Sequence, residues 1–285
     1  MIKFGPSGNP DQFYDDGFKA STQMPLWVKN QGLDAYEYQC SKGVKISRAT
    51  AENLGDEADK NGIYLSVHAP YFISLSSVEE EKRLKSVNYI MQTMAAAKFM
   101  GAKRIVVHSG SCSKMTREEA LALAADTLKI AKEEIKNGGF EEISLCPETM
   151  GKINQLGTVE EVVELCKISE NFVPCIDFGH VNAREMGSLN EYSDFERIVN
   201  LIENGLGADR AKNFHVHFTR IEYTTGGEKK HIPYDDESFG PCFEPLAELI
   251  VRKKLSPVII CESPGMQAKD ALTYKRIYEE TKEKK

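Results

Sequence analysis

The chain has 285 residues, of which 41% are hydrophobic and 28% are charged, and its net charge is −7. This length accommodates one α/β barrel of roughly 250 residues, and no apolar run approaches the roughly 20 residues of a membrane span. The negative charge disfavours a protein that coats nucleic acid by overall attraction, although a local basic groove or bound cations could still receive a phosphodiester.

Seven cysteines are scattered along the chain without a Cys-x-x-Cys pair. Cys146, Cys175 and Cys261 lie in apolar strand-like runs, as is typical of small buried hydrophobic residues. We therefore expect a reducing, cytoplasmic setting. The chain begins with strand-like sequence instead of a charged region and an apolar core, so we expect no secretion signal.

Eight short β-prone runs recur along the chain, and a longer segment with helical periodicity follows each of them. Their starts lie roughly 30 to 45 residues apart, the length of one strand, loop, helix and return. Eight such units predict an α/β fold, a single (β/α)8 TIM barrel that spans residues 1–285. The runs are residues 2–4, 35–38, 64–67, 104–107, 143–146, 173–176, 213–216 and 258–261.

The clearest predicted helices are residues 78–100 and 116–137, with Ala and Leu at helical spacing. Another helix is predicted to begin at Thr158, because Glu161 follows three residues later in a capping-box pattern. Residues 219–240 form the longest stretch without clear periodicity. A loop of that length in a compact barrel is usually functional or mobile.

Imidazole and carboxylate side chains occur at or just after the ends of predicted strands three to eight, and one more histidine lies in the long loop. If the strands close into a barrel, these eight side chains converge on one rim. They are His68, His108, Glu148, Asp177, His180, His217, His231 and Glu262.

The convergence of these side chains predicts a metal site, because burying them together without cations would be prohibitively costly. Mixed His, Asp and Glu ligation suits zinc, manganese or iron, and eight ligands are too many for one tetrahedral ion. We therefore expect two or three ions. On strand seven we expect His217, nearer the strand end, to be the ligand, and His215 to point to the opposite side and pack.

Several motifs carry a family resemblance over nearly the whole chain. They are residues 67–75 (VHAPYFISL), 106–111 (VVHSGS), 147–149 (PET), 175–180 (CIDFGH) and Glu262 after the last strand. They resemble the endonuclease IV family of apurinic/apyrimidinic endonucleases, within the wider superfamily of xylose-isomerase-like barrels. The resemblance implies a monomeric, zinc-dependent DNA repair enzyme without a membrane segment.

The resemblance also implies roles for the site residues. His68 and His108 would hold one ion, Asp177, His217 and Glu262 a second, and His180 and His231 a third, with Glu148 between the first two. Glu148 and Glu262 would be the catalytic carboxylates, and the clustered cations, zinc or alternatively manganese, would activate a water that attacks the phosphorus 5′ of an abasic nucleotide.

Tyr71 and Phe72 match family residues that enter the DNA and help to turn out the abasic sugar. The alternative is that they only pack under a loop. The chain departs from the family in the long loop, where Lys229 replaces an aspartate ligand of the third ion. The third site is then weakened, absent, or completed by another carboxylate such as Asp235 or Asp236.

A sugar isomerase or epimerase of the same superfamily is the alternative interpretation. Such enzymes resemble this chain at Glu148, Asp177, His180, His217, Arg220 and Glu262, and they bind one divalent ion. On that interpretation Arg220 binds the sugar substrate. A third possibility is a non-catalytic barrel that binds metal or a partner through the long loop.

Overall fold

The computed structural model describes residues 1–284, and its main sheet consists of eight parallel strands that form a nearly closed barrel. A separate two-stranded sheet is formed by β8 and β9. The strands are β1 (Lys3–Pro6), β2 (Ala35–Gln39), β3 (Tyr64–His68), β4 (Arg104–His108), β5 (Ser144–Glu148), β6 (Cys175–Asp177), β7 (His215–His217), β8 (Arg220–Thr224), β9 (Gly227–Ile232) and β10 (Val258–Cys261).

The hydrogen-bonded order of the barrel strands is β1-β10-β7-β6-β5-β4-β3-β2. A parallel bridge between Ser7 and Glu37 and a 2.9 Å hydrogen bond from Gly8 N to Glu37 O join the two ends of this order. All eight barrel strands lie within two residues of the predicted runs. The predicted TIM barrel is therefore confirmed.

Helices cover the outside of the barrel between successive strands, as the alternating pattern predicts. They are α1 (Asp11–Asp15), α2 (Met24–Asn30), α3 (Arg48–Asn61), α4 (Glu80–Met100), α5 (Arg117–Asn137), α6 (Val159–Cys166), α7 (Phe178–Arg184), α8 (Tyr192–Leu206), α9 (Ala208–Lys212), α10 (Glu244–Lys253) and α11 (Gln267–Glu283). The capping box predicted at α6 is present: Glu161 N donates to Thr158 Oγ1, and the Glu161 carboxylate accepts from Thr158 N.

Alternation along the strands decides which side chains reach the barrel interior. Val106, Cys146 and Cys175 form a small buried cluster that is separate from the large core between strands and helices. Side chains two positions apart on a strand point the same way. The residue two positions after each member of this small cluster is a predicted ligand, so the interior leads directly to the candidate site.

Residues 219–240 are only partly irregular, which corrects the predicted loop. They contain the antiparallel pair β8 and β9, called the hairpin below. The solvent-facing strand β9 carries Lys229 and Lys230, so its sequence lacks the apolar alternation that would have indicated a strand. Its pairing with β8 comes from backbone hydrogen bonds, which the side-chain pattern does not report.

The cysteines predicted to be buried hydrophobic residues, Cys146, Cys175 and Cys261, are fully buried free thiols. Burial raises the pKa of the Cys146 and Cys261 thiols to about 12. Within residues 1–284, no helix combines the length and the apolar composition that a membrane crossing requires.

Candidate metal centre

Six of the predicted ligands lie at the carboxyl ends of barrel strands, where the barrel opens. Parallel strands end at the same rim, so residues far apart in the sequence become neighbours there. His68, His108, Glu148, Asp177 and His217 are the last residues of β3, β4, β5, β6 and β7, and Glu262 directly follows β10. We call these six residues the mouth cluster.

Glu148 lies at the centre of the mouth cluster, with 1% of its surface exposed. Its Oε2 atom lies 3.3 Å from His68 Nε2 and 3.4 Å from His108 Nε2. Its Oε1 atom lies 3.1 Å from His217 Nδ1. His180 Nδ1 of α7 lies 3.5 Å from the same Oε1 atom. One buried carboxylate is thus within reach of four imidazoles, three of which are delivered by barrel strands.

The outer hydrogen bonds of the histidines show that these contacts need a positive charge. His68 Nδ1 donates to Ala69 O at 2.8 Å, so in the neutral ring Nε2 carries only a lone pair towards Glu148. A lone pair and a carboxylate oxygen repel each other unless a proton or a cation lies between them. Asp177 Oδ2 is likewise buried without a hydrogen-bond partner. The residues present therefore fit bound cations.

Within residues 1–284, side-chain ligand atoms lie within 4.8 Å of one another in five groups, each close enough to share one ion. Two of them, His68 with His217 and Glu262, and Cys175 with His215 and His217, reuse His217, and the other three form a continuous run. The first two groups of the run share Glu148, and the second and third share Asp177. Imidazole and carboxylate donors suit zinc, manganese or iron. The groups of the run are His68, His108 and Glu148; Glu148, Asp177, His217 and Glu262; and Asp177, His180 and His231.

The carboxylate of Glu228 lies next to the third group, and the sequence analysis did not identify it. Its Oε2 lies 3.4 Å from His180 Nε2, and its Oε1 lies 3.8 Å from His231 Nε2. Lys229, which raised doubt about this group, points away and pairs with Glu222 at 2.5 Å. The register of the hairpin shifts at this point, since Lys230 pairs with Glu222 and Glu228 pairs with Tyr223, so Lys229 is the extra residue of a β-bulge. The bulge lets Glu228 and His231, three positions apart, both face the centre, while Lys229 turns to Glu222 and does not oppose a cation here.

The suggestion that Asp235 or Asp236 completes the third group is corrected by the same geometry. Asp235 pairs with Lys269 at 3.3 Å, and the Asp236 carboxylate accepts from Ser238 N at 3.0 Å. Both aspartates follow the hairpin, whereas Glu228 lies within it. The carboxylate beside His180 therefore comes from the hairpin itself.

The expectation that His215 points away from His217 is wrong, because residues two apart on a strand share a face. Both rings point into the barrel and contact Glu37, at 3.0 Å from His215 Nε2 to Oε2 and 3.0 Å from His217 Nε2 to Oε1. Ser66 Oγ also donates to Glu37 Oε2 at 2.8 Å. Glu37, fully buried in β2, is a residue that sequence reasoning missed, although a glutamate inside a predicted buried strand was the available signal.

The charges of the centre balance through protons when no cation is bound. Burial alone lowers the pKa of His68, but the hydrogen bond and charge of Glu148 outweigh burial and raise this pKa to about 9. For His180, Asp177 and Glu228 likewise outweigh burial and raise the pKa to about 9. Burial opposes ionisation of Glu262, yet the neighbouring His217 lowers its pKa to about 2. These histidines therefore hold protons in place of cations.

Tyr71 and Phe72 lie on the loop after β3, a few residues beyond His68. They are 54% and 44% exposed, and their rings meet edge to face at 6.1 Å. Phe72 also packs against Tyr89 of α4 at 4.9 Å, whereas Tyr71 lines the cavity above the mouth cluster. Phe72 thus partly fits the packing alternative, while both rings keep a large exposed surface at the rim.

Arg220, the predicted sugar-binding residue, lies apart from the mouth cluster. It is 5% exposed, and its Nη1 donates to the backbone oxygen of Asp236 at 3.1 Å. It lines a different cavity, on the other side of the hairpin and α7. The structure therefore brings all eight predicted metal ligands together but leaves this arginine outside.

The cavity above the mouth cluster has a volume of about 380 Å³. The hairpin closes one side of it by docking on the loop after β5, with hydrogen bonds from Glu228 N to Gly151 O and from Ile153 N to Gly226 O, both 3.1 Å. Gly227 has φ +90°, and a Cβ there would lie 2.2 Å from Gly151 O. Only glycine allows this close backbone approach, which places Glu228 over the site.

Comparison with known proteins assigns this chain to a family. The family model described as xylose isomerase-like TIM barrel matches residues 25–283. An uncharacterized protein of Methanocaldococcus jannaschii is 32% identical over 98% of both chains. A probable endonuclease 4 of Mycoplasma pneumoniae is 26% identical over 74% of this chain and 71% of its own.

Two solved structures share the fold over almost the whole chain. A D-tagatose 3-epimerase-like protein superimposes with a TM-score of 0.74 at 23% identity, covering 99% of this chain and 97% of its own. Endonuclease IV from Thermus thermophilus does so with a TM-score of 0.70 at 18% identity, covering 99% and 100%. The matched family model, together with the relative that is similar over its full length, shows that this chain belongs to the xylose isomerase-like TIM-barrel family.

Proposed function

We propose that this protein is a metal-dependent phosphodiesterase that cuts duplex DNA on the 5′ side of abasic sites, in base excision repair. The observation that carries the proposal is the continuous run of three ligand groups through Glu148 and Asp177. A one-metal sugar isomerase requires only the middle group. The additional histidines at both ends of the run have a role in a centre with three cations.

His68 and His108 would hold one cation, Asp177, His217 and Glu262 a second, and His180, His231 and Glu228 a third, with Glu148 between the first two. Zinc suits these donors, and manganese is the alternative. Such cations, when bound, supply a nucleophile near neutral pH and offset negative charge on the attacking and leaving oxygens of a phosphodiester.

Two carboxylates of the chain are fixed where that chemistry would occur. Glu148 contacts the rings of His68, His108, His180 and His217 and so restricts their orientation. Glu262 Oε1 accepts a hydrogen bond from Ser7 Oγ at 3.1 Å, and its Oε2 lies 3.5 Å from His217 Nδ1. These contacts fix the carboxylate at the edge of the cavity, and we assign Glu148 and Glu262 the catalytic roles.

The exposed rings of Tyr71 and Phe72 are the proposed contacts to the DNA. An aromatic ring at the rim can fill the space beside an abasic nucleotide, where no base stacks on its neighbours. The cations of the mouth, and not the overall charge of −7, would attract the phosphate. This accounts for a nucleic-acid substrate in an acidic protein.

The sugar isomerase remains the competing function, because the middle group and the small cavity would also suit a ketose. The residue that favoured sugars, Arg220, lies outside that cavity. The deciding experiment incubates the zinc- or manganese-loaded protein with a labelled duplex that carries one abasic site, and with the matched duplex without it. We expect a single nick that leaves a 3′ hydroxyl, only in the first duplex.

Elemental analysis of the same preparation should find two or three ions per chain. Glu228→Gln should lower this number by one, whereas Lys229→Gln, at the neighbouring residue that pairs with Glu222, should not change it. An intact duplex together with turnover of a ketose by a one-ion protein would establish the isomerase instead. A preparation that retains no divalent metal would support the non-catalytic barrel.

A further inference from the structure

A second cavity, with a volume of about 400 Å³, lies on the far side of the hairpin and α7. It shares no lining residue with the cavity above the mouth cluster. We call it the arginine cavity, and its polar lining includes Asn182, Asn190, Arg220, Tyr223, Ser238 and Cys242. The proposed nuclease function makes no use of it.

The guanidinium of Arg220 is the buried charge of this cavity. Its partners are the backbone oxygen of Asp236, the ring of Tyr234 with Cζ 4.7 Å from the centroid, and Cys242 Sγ at 3.8 Å. None of these groups carries a carboxylate to the arginine, because the Asp236 carboxylate turns to Ser238. The Nε atom is buried without a hydrogen-bond partner.

A buried arginine is ordinarily paired with an acid, since an unpaired buried charge is strongly unfavourable. The guanidinium has five N–H donors in a planar fork, and the contacts above use two of them. The remaining donors match the two oxygens of a phosphate or carboxylate group. Hydrogen bonds from Ser238 and, more weakly, the charge of Arg220 lower the pKa of the Asp236 carboxylate, so a negative charge lies nearby. The buried guanidinium nevertheless contacts the backbone oxygen of Asp236 and not its carboxylate.

Asn182 adds an uncharged donor to the same wall. The residue is 1% exposed, and its Oδ1 atom accepts from Leu189 N at 3.0 Å. That bond orients Nδ2 towards Gly240, another lining residue, 3.5 Å from where a Cβ on that glycine would lie. An amide donor and a guanidinium therefore converge on one small space.

We propose that the arginine cavity binds a small oxyanion, a phosphate or carboxylate group, through the guanidinium of Arg220 and the amide of Asn182. The acidic Glu237 also lines the cavity, but it is exposed to solvent and its charge is screened there. Its presence disfavours a polyanion and selects a compact ligand. This site is independent of the proposed nuclease function.

The test titrates the metal-loaded protein by calorimetry with inorganic phosphate in one arm and acetate in the other, so that the two sources of the oxyanion are distinguished. We expect saturable binding in at least one arm. Arg220→Gln should weaken it by about tenfold or more, the effect of losing a charge-assisted hydrogen bond. Arg276→Gln, the same change at an exposed arginine of α11, should leave it unaltered.

Asn182→Ala keeps the charge and should weaken binding less than Arg220→Gln does, which gives a second test if the arginine variant unfolds. Cations of the mouth cluster can also bind phosphate, and neither substitution affects that binding. Only the binding that is lost in the Arg220 and Asn182 variants is therefore attributed to the arginine cavity. A crystal soaked in selenate should show anomalous density beside the Arg220 guanidinium. Absence of that density in a protein that binds phosphate, binding in neither arm, or binding that is equal in all four proteins would overturn the site.

Discussion

The mouth cluster and the hairpin place side chains in different ways. Four residues of the mouth cluster sit opposite each other in the sheet as two pairs, His108 with Glu148 and Asp177 with His217, so barrel hydrogen bonds fix them. The hairpin contributes Glu228 and His231 from an insertion that packs against α7 and docks on the loop after β5. The first two ligand groups therefore rest on the core, whereas the third depends on a surface element.

Among the tests of these two regions, we expect the largest effect from the pH dependence of metal affinity. The pKa values of His68 and His180 are raised to about 9, and for His217 the charges of its neighbours outweigh burial and raise the pKa well above its usual range, so all three rings are protonated at pH 7 without cations. Cations bind neutral imidazole, so full uptake releases about three protons, and affinity rises steeply as the pH increases from 6 to 8. Calorimetry in buffers of different ionisation enthalpy counts the protons. Uptake without proton release contradicts the charge balance inferred here.

Glu148→Gln tests the centre of the mouth cluster. Removing its charge leaves four imidazoles facing a neutral amide, so we expect metal affinity and activity to fall by more than about a hundredfold, beyond the usual effect of an outer partner. Glu142→Gln makes the same change at an exposed glutamate that precedes β5 and should have no effect. Retention of all ions by Glu148→Gln would show that the histidines hold them without this carboxylate.

Glu37→Gln tests the support beneath the same cluster. The Glu37 carboxylate lies 3.0 Å from His217 Nε2, whereas His217 Nδ1 faces Glu148. A carboxylate on the far side of the ring orients a histidine that binds metal. We expect metal affinity to fall by about 10- to 100-fold, with the loss concentrated in the middle group. Ser66→Ala removes another contact of the Glu37 carboxylate and should cost much less. Equal losses in both variants would indicate general damage to the barrel instead.

Gly227→Ala tests how the hairpin docks and should have the smallest effect. The new Cβ would overlap Gly151 O at a backbone with φ +90°, so we expect a loss of about 1–3 kcal/mol in stability and weaker binding of the third cation only. Gly226→Ala is the matched control, since its nearest contact is 3.7 Å away and its φ is not positive. Thermal unfolding and ion counts measure both. Loss of all three ions would mean that the hairpin supports the whole centre.

The success of prediction from the sequence differed between these two regions for a physical reason. At the mouth, a strand pattern followed by His, Asp or Glu was sufficient, because every parallel strand delivers its last residue to the same rim. His68 and Glu148 could therefore be assigned to one cluster although 80 positions separate them. In the hairpin, the contacts depend on the face that each residue takes, and the charged sequence contained no sign of strand pairing. Glu228 was overlooked there, and Lys229 received undue weight.

The positions of Arg220 and Glu37 are two further cases that the sequence pattern could not predict. Arg220 comes three positions after His217, yet the chain turns into β8 between them and carries the arginine to another cavity. Glu37 is distant in sequence from every ligand, yet the barrel brings it to the imidazole rings of β7. Neither placement follows from the spacing of residues along the chain.

The sequence by itself determined the order of strands and helices, the eight-unit barrel and the types of side chain at the rim, because these follow from local periodicity and from the common direction of parallel strands. Only the tertiary structure decided which carboxylate faces His180, that His215 shares Glu37 with His217, and that Arg220 belongs to a separate cavity. Those outcomes depend on how an insertion docks and how a barrel closes. Such contacts join residues that no local pattern connects.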